Sequence, residues 1–162
     1  MAERGPIRDT DDDARALARS LLAGARFAAL AVFDRATGIP TVSRIALVPG
    51  PEGAPLTLIS ELSAHTGHLL ADPRCALLVG EPGPAGDPLT HPRMTLACRA
   101  DFVRHGDAGH AALRSHYLGL YPKAKLYADF ADFLFARFEV SSAALNGGFG
   151  KAYQLAPEDL GL

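Results

Sequence analysis

Four side chains able to hold an anion, Ser60, Ser63, His65 and Thr66, fall within seven positions of the segment Leu56-Thr57-Leu58-Ile59-Ser60-Glu61-Leu62-Ser63-Ala64-His65-Thr66. Leu56 to Ser60 reads as a strand and Gly67 to Ala71 as a short helix, so these donors crowd the turn between them. Backbone amides at a helix start lack intrahelical partners and point outward, which makes such a turn a seat for phosphate. A single cap would need one hydroxyl, and this turn carries more. Ordinary capping beside an exposed His65 is the other reading. The turn lacks a fixed positive charge, and Arg44 is the candidate to supply it. On a strand from Thr41 to Val48, Val42, Arg44 and Ala46 share one face while Ser43, Ile45 and Leu47 share the other. A guanidinium in that apolar run needs solvent or an anion, and its fork matches phosphate oxygens. An arginine lying over an edge strand to block aggregation is the alternative.

Other chemistry is less well supported. His65 and His68 are three apart, and His105, His110 and His116 cluster loosely, but no carboxylate or cysteine completes a metal set, so no metal is expected. A serine hydrolase elbow, Gly-x-Ser-x-Gly, is absent. Cys75 and Cys98 lie in apolar strand-like runs, where a thiol packs as a small inert hydrophobe. In Asn146-Gly147-Gly148-Phe149-Gly150, glycines flank Phe149, so either a planar ligand approaches the bend or Phe149 packs beside one; a plain turn between strands serves equally. Lys123 and Lys125, near Tyr121 and Tyr127, read as a solvated face.

These residues need a scaffold, and the chain supplies a mainly β one. An amphipathic helix is expected from Asp11 to Gly24, then strands at Arg26–Phe33 and Pro40–Val48 joined by a turn at Asp34–Gly38. The Leu56–Ser60 strand, the short helix and a strand at Arg74–Glu81 follow, with Asp72-Pro73 as punctuation. Pro82 to Pro92 carries four prolines and two glycines and reads as a surface loop of the kind that borders binding sites. Beyond it come a strand at Met94–Arg104, a helix capped by Asp107 and running through Tyr117, a second helical stretch after Pro122, and strands at Leu134–Val140 and Lys151–Leu155. Six to seven mostly antiparallel strands with peripheral helices form one small β-barrel domain over residues 1–162, with the first ten residues flexible.

A chain of 162 residues buries one core, and its formal net charge of −2 without a basic run gives no footprint for nucleic acid. The acidic start, with Asp11-Asp12-Asp13, is unlike a signal peptide, and no apolar stretch is long enough to span a bilayer. A cytoplasmic protein without membrane contact is expected.

The order and spacing of the arginine-bearing second strand, LISELSAHTGHLLADPR, Cys75-Ala76-Leu77-Leu78, Gly86-Asp87-Pro88-Leu89, His91-Pro92-Arg93-Met94-Thr95-Leu96 and Asn146-Gly147-Gly148-Phe149-Gly150-Lys151-Ala152 carry a resemblance from about Arg26 to Asp159. Together they resemble the pyridoxamine 5′-phosphate oxidase-like FMN-binding split-barrel family, most closely its haem-utilisation branch. That resemblance implies a homodimer with FMN in a groove between subunits and a small-molecule substrate for an FMN-dependent oxidoreductase. It places Arg44 on the phosphate with Ser60 and Ser63 nearby, puts His65 and Thr66 where related oxidases use a lysine, brings Arg93 near the flavin, and tilts Phe149 toward a ligand-side role. Gly67 and His68 depart from the arginine and asparagine common in the branch, and Cys98 stands where glycine is common. The resemblance identifies no catalytic acid or base. The chain, read to Leu162, would lack the C-terminal extension of some haem-degrading relatives, and the substrate-binding arginine and histidine pattern of pyridoxamine phosphate oxidation finds no match. A non-catalytic haem- or flavin-binding protein of the same branch is the alternative.

Overall fold

A computed structural model describes residues 6–162. The elements in chain order are β1 (Ile7–Arg8), α1 (Asp12–Gly24), β2 (Phe27–Asp34), β3 (Ile39–Ala46), β4 (Val48–Pro49), β5 (Pro55–Ser60), α2 (Ala64–Ala71), β6 (Arg74–Val79), β7 (Arg93–Val103), α3 (His110–Leu120), β8 (Phe133–Asn146) and β9 (Ala152–Leu155), with short 3-10 turns at Pro88–Thr90, Pro122–Leu126 and Pro157–Leu160. The expected mainly β class with peripheral helices is the observed one.

One mixed sheet of nine strands runs β1-β9-β8-β7-β6-β2-β3, and β5 pairs with β8 on the same edge as β9. Every pairing is antiparallel except β1 on β9. The two strands beyond the expected count are the two-residue β1 and β4, too short to show a period in sequence. The pairing of Ile7 and Arg8 with Ala152 and Tyr153 falls inside the stretch expected to be flexible, the first five residues of which lie outside the described residues. The sheet curls but does not close. Its gap lies between β3 and β5, where no ladder forms and the Thr57 hydroxyl donates to the Ala46 carbonyl at 2.6 Å. β4, which follows β3 after Leu47, pairs with β5 at one end of this gap.

Alternation builds the core. Ala28, Leu30 and Val32 of β2 and Met94, Leu96, Cys98 and Ala100 of β7 point inward, as strand periodicity requires. β5 is buried on both faces because Ile59 joins the main core while Leu56 and Leu58 join a second one under α3. That second core centres on Tyr117 and Phe135, edge to face with ring centroids 5.7 Å apart. α1 lays Ala14, Ala18 and Leu22 on the main core, its first turn capped by the Asp11 carboxylate accepting from the Ala14 amide at 2.8 Å. The Arg15 guanidinium donates to Asp159 at 2.7 Å, tying this helix to the last turn of the chain.

Three boundaries differ from expectation for physical reasons. β8 continues to Asn146 because a bulge, with Ala97 opposite Ser142 and Cys98 opposite Val140, leaves Ser141 as the extra residue. Inward positions therefore change from Leu134, Ala136, Phe138 and Val140 to Ala143 and Leu145, so a period-two reading stops at Val140. α2 starts at Ala64 and not Gly67, placing His65 and Thr66 within its first turn. Asp107 does not cap α3: its carboxylate accepts from the Arg104 amide at 2.8 Å and closes the preceding turn, and Gly109, at φ 84°, occupies the cap position.

Candidate functional site

Strand parity puts Arg44 on the outer face of the sheet, where Ala29 of β2 is its register partner and Leu78 of β6 pairs with Ala29 in turn. Arg44 is exposed, and its guanidinium carbon lies 5.2 Å from the Phe27 ring centroid, a cation–π contact that holds the charge over an apolar wall. Beside it opens a groove of about 460 Å³, bounded by the end of α1, β2, β3, β6 and the loop that follows β6. Arg26, Phe27, Arg44, Leu78, Glu81 and Arg93 are among its lining residues. Arg93 enters from the first position of β7, and one of its terminal nitrogens donates to the backbone carbonyls of Leu89 at 2.9 Å and His91 at 3.3 Å. Three arginines, Arg26, Arg44 and Arg93, thus line one largely apolar groove, the last two from β3 and β7, strands separated by two others. A second hollow of about 280 Å³ adjoins it, sharing Leu78 and Arg93 and adding Thr95, Asn146 and Gln154.

The turn before α2 is a separate place. None of Ser60, Ser63, His65 and Thr66 lines either hollow. Ser60 is engaged within the fold, donating to Asp132 and accepting from the Leu62 amide at 3.1 Å. Ser63 occupies the N-cap position with extended backbone but makes no side-chain cap bond, and its carbonyl accepts the Thr66 and Gly67 amides. Thr66 is fully buried and its hydroxyl has no partner; the Nε2 atom of His65 and the Ser43 hydroxyl are buried and unpartnered too. All three belong to β3 and α2, which pack on one another. Burial, with His68 beside it, pushes the His65 imidazole below its ordinary value, so it is neutral at pH 7 and not a fixed cation. His68 faces Asp34 at 3.9 Å.

Phe149 is 96% exposed in the bend after β8 and touches neither hollow. Cys75 and Cys98 are direct cross-strand partners, and burial drives the Cys75 thiol up to about 12 and Cys98 higher still, so neither offers a thiolate. The groove residues not anticipated are Phe27, Leu78, Arg26 and Glu81. Their signal was parity: Phe27 and Ala29 share a face of β2, and register places that face beside Arg44.

No helix among the described residues is long and apolar enough to cross a membrane. The family described as pyridoxamine 5′-phosphate oxidase matches residues 14–146. The chloroplastic non-canonical heme oxygenase HOZ of Arabidopsis thaliana is 32% identical over 136 residues, covering 83% of this chain and 40% of that protein. A heme-binding protein from Mycobacterium smegmatis superposes with a TM-score of 0.79 at 28% identity, over 96% of this chain and 62% of that one. ChuZ of Campylobacter jejuni has the same fold, with a TM-score of 0.81 at 17% identity, over 94% of this chain and 63% of that one. The chain therefore spans less than two thirds of these relatives' own length.

Proposed function

Because this chain belongs to the pyridoxamine 5′-phosphate oxidase family, we propose that it is an FMN-binding flavoprotein, an oxidoreductase acting on a small organic molecule, in a homodimer with the cofactor at the subunit interface. The observation that carries this reading is the pair Arg44 and Arg93 in one apolar groove. A ligand with an anionic end and a flat apolar body suits that donor set: the guanidinium groups take the anion, and Phe27, Ala29 and Leu78 offer surface to a ring. FMN, when bound, would supply the electron transfer. The chain's own part is to neutralise the phosphate, fix the ring's orientation and exclude water from one side of it. Glu81, the acidic residue among the groove's charged walls, is set to repel a second anion and so to orient the charged end toward Arg44 and Arg93.

Haem is the second reading, favoured by the names of the Arabidopsis and mycobacterial relatives. Its propionates present the same chemistry to Arg44 and Arg93. The groove lining holds no imidazole or thiolate to ligate iron, which is why FMN is placed first. The two readings separate on adding FMN and haem to the purified protein. A bound flavin spectrum that bleaches under a nicotinamide donor supports the flavoenzyme, and a protein that takes haem and refuses FMN overturns it. Arg44→Ala should weaken FMN binding about 10- to 100-fold, the value of a charged hydrogen bond. An unchanged affinity removes Arg44 from the site.

A further inference from the structure

The loop between β6 and β7, residues 80–92, forms one wall of the groove through Gly80, Glu81, Pro82 and Pro88. Residues 81–90 are all exposed, so no apolar burial anchors this wall. The first half of its span is tied to its far end through His91. The Nδ1 atom of His91 accepts from the Gly83 amide at 2.7 Å, and Nε2 lies 2.9 Å from the Ala85 carbonyl. An acceptor at Nδ1 leaves the ring proton on Nε2, where it donates to Ala85, so both bonds exist together only for the neutral ring. The loop is built around that ring: a Cβ on Gly83 would stand 3.0 Å from His91 Cε1, and Gly86 turns past it with φ +86°.

We propose that His91 is a positioning residue whose ring pins the groove wall in place and presents Arg93 to the ligand. The link to Arg93 is direct, because Arg93 leans on the carbonyls of Leu89 and His91 itself, and those carbonyls keep their places only while residues 83–91 keep their path. Without the ring, the Gly83 amide and the Ala85 carbonyl lose their shared partner, and the wall loosens from within. The role rests on the groove being the ligand site, and its test separates the two ideas.

Amide exchange of Gly83 and its neighbours in the ligand-free protein, corrected for intrinsic rates, reads the pin alone. Protection at Gly83 should drop about 5- to 10-fold in His91→Ala, which removes both bonds. In His91→Asn, whose amide oxygen keeps an acceptor near Nδ1, protection at Gly83 should stay near the native level. Unchanged protection in His91→Ala, or an equal loss in both variants, overturns the pin. FMN affinity should fall by a similar factor in His91→Ala and hold in His91→Asn. An unchanged affinity in His91→Ala overturns the effect on Arg93. FMN binding to none of these proteins refutes the cofactor reading, and the pin is then decided by exchange.

Discussion

Arg44 and Arg93 lie far apart in sequence and line one groove because parity points both side chains out of the sheet and register puts Thr95, two residues from Arg93 on the same face, in line with Arg44 across β6 and β2. Arg44 was legible as a charge in an apolar strand; its company was not, since the partner strand's register is invisible in a single sequence. The His65 and Thr66 turn was legible as a concentration of donors, yet the structure turns them toward the fold's interior while Arg44 faces out. Histidines also shape the acid limb of stability. His110 is buried, lies 4.4 Å from the His105 ring and 5.3 Å from Phe135, and its Nε2 has no partner. Burial, reinforced by His105, holds it below its ordinary value, so the unfolded chain takes up a proton before the folded one does. The stability linked to this group is complete above the ordinary histidine value and is lost as pH falls through the depressed one. His110→Phe keeps a ring against Phe135 and removes the titration. Its Tm should decline less than the native protein's between about pH 7 and about pH 5, and equal declines would assign the acid loss elsewhere. His65 titrates with the same sign, so part of the decline should survive. The Asp72 carboxyl, held at about 2 chiefly by Arg74, belongs to a lower window, below the ordinary carboxylate range.

At the scale of elements, strands with clean alternation were placed within a residue or two, and errors gathered where local geometry breaks the period. The bulge opposite Ala97 hid the second half of β8, and the early start of α2 moved His65 and Thr66 from turn to helix. Gly80, where β6 ends and the groove wall begins, gives the clearest element-level test. It has φ +97°, and a Cβ there would lie 2.5 Å from the Pro92 carbonyl oxygen and 2.8 Å from the Arg93 Cα, backbone atoms that have no flexible end to withdraw. Gly80→Ala should destabilise by more than about 2 kcal/mol in urea unfolding. Gly67→Ala is the contrast, since nothing stands within 4 Å of its Cβ position and the residue is helical. It should stabilise by about 0.5–1 kcal/mol. Similar midpoints for the two variants would contradict the tight approach of β7 to Gly80.

For the molecule as a whole, the outer sheet face that carries both hollows is unusually apolar for an exposed surface. Phe27, Phe33, Val42 and Leu78 are all exposed on β2, β3 and β6, with Val42 at 68%. Such a face calls for a cover, and a second copy applied to it would wall the open side of the groove beside Arg44 and Arg93. Val42 is the place to test this, because it lies on that face and lines neither hollow, so its replacement leaves the groove's own walls intact. Val42→Glu should alter the isolated fold by no more than about 0.5 kcal/mol, as expected for an exposed position. Sedimentation should nevertheless show a dimer for the native chain and a monomer for the variant at the same concentration, with FMN affinity falling alongside. A native chain that sediments as a monomer while binding FMN tightly would show that one subunit's groove suffices. A dimeric Val42→Glu protein would place the contact on another face.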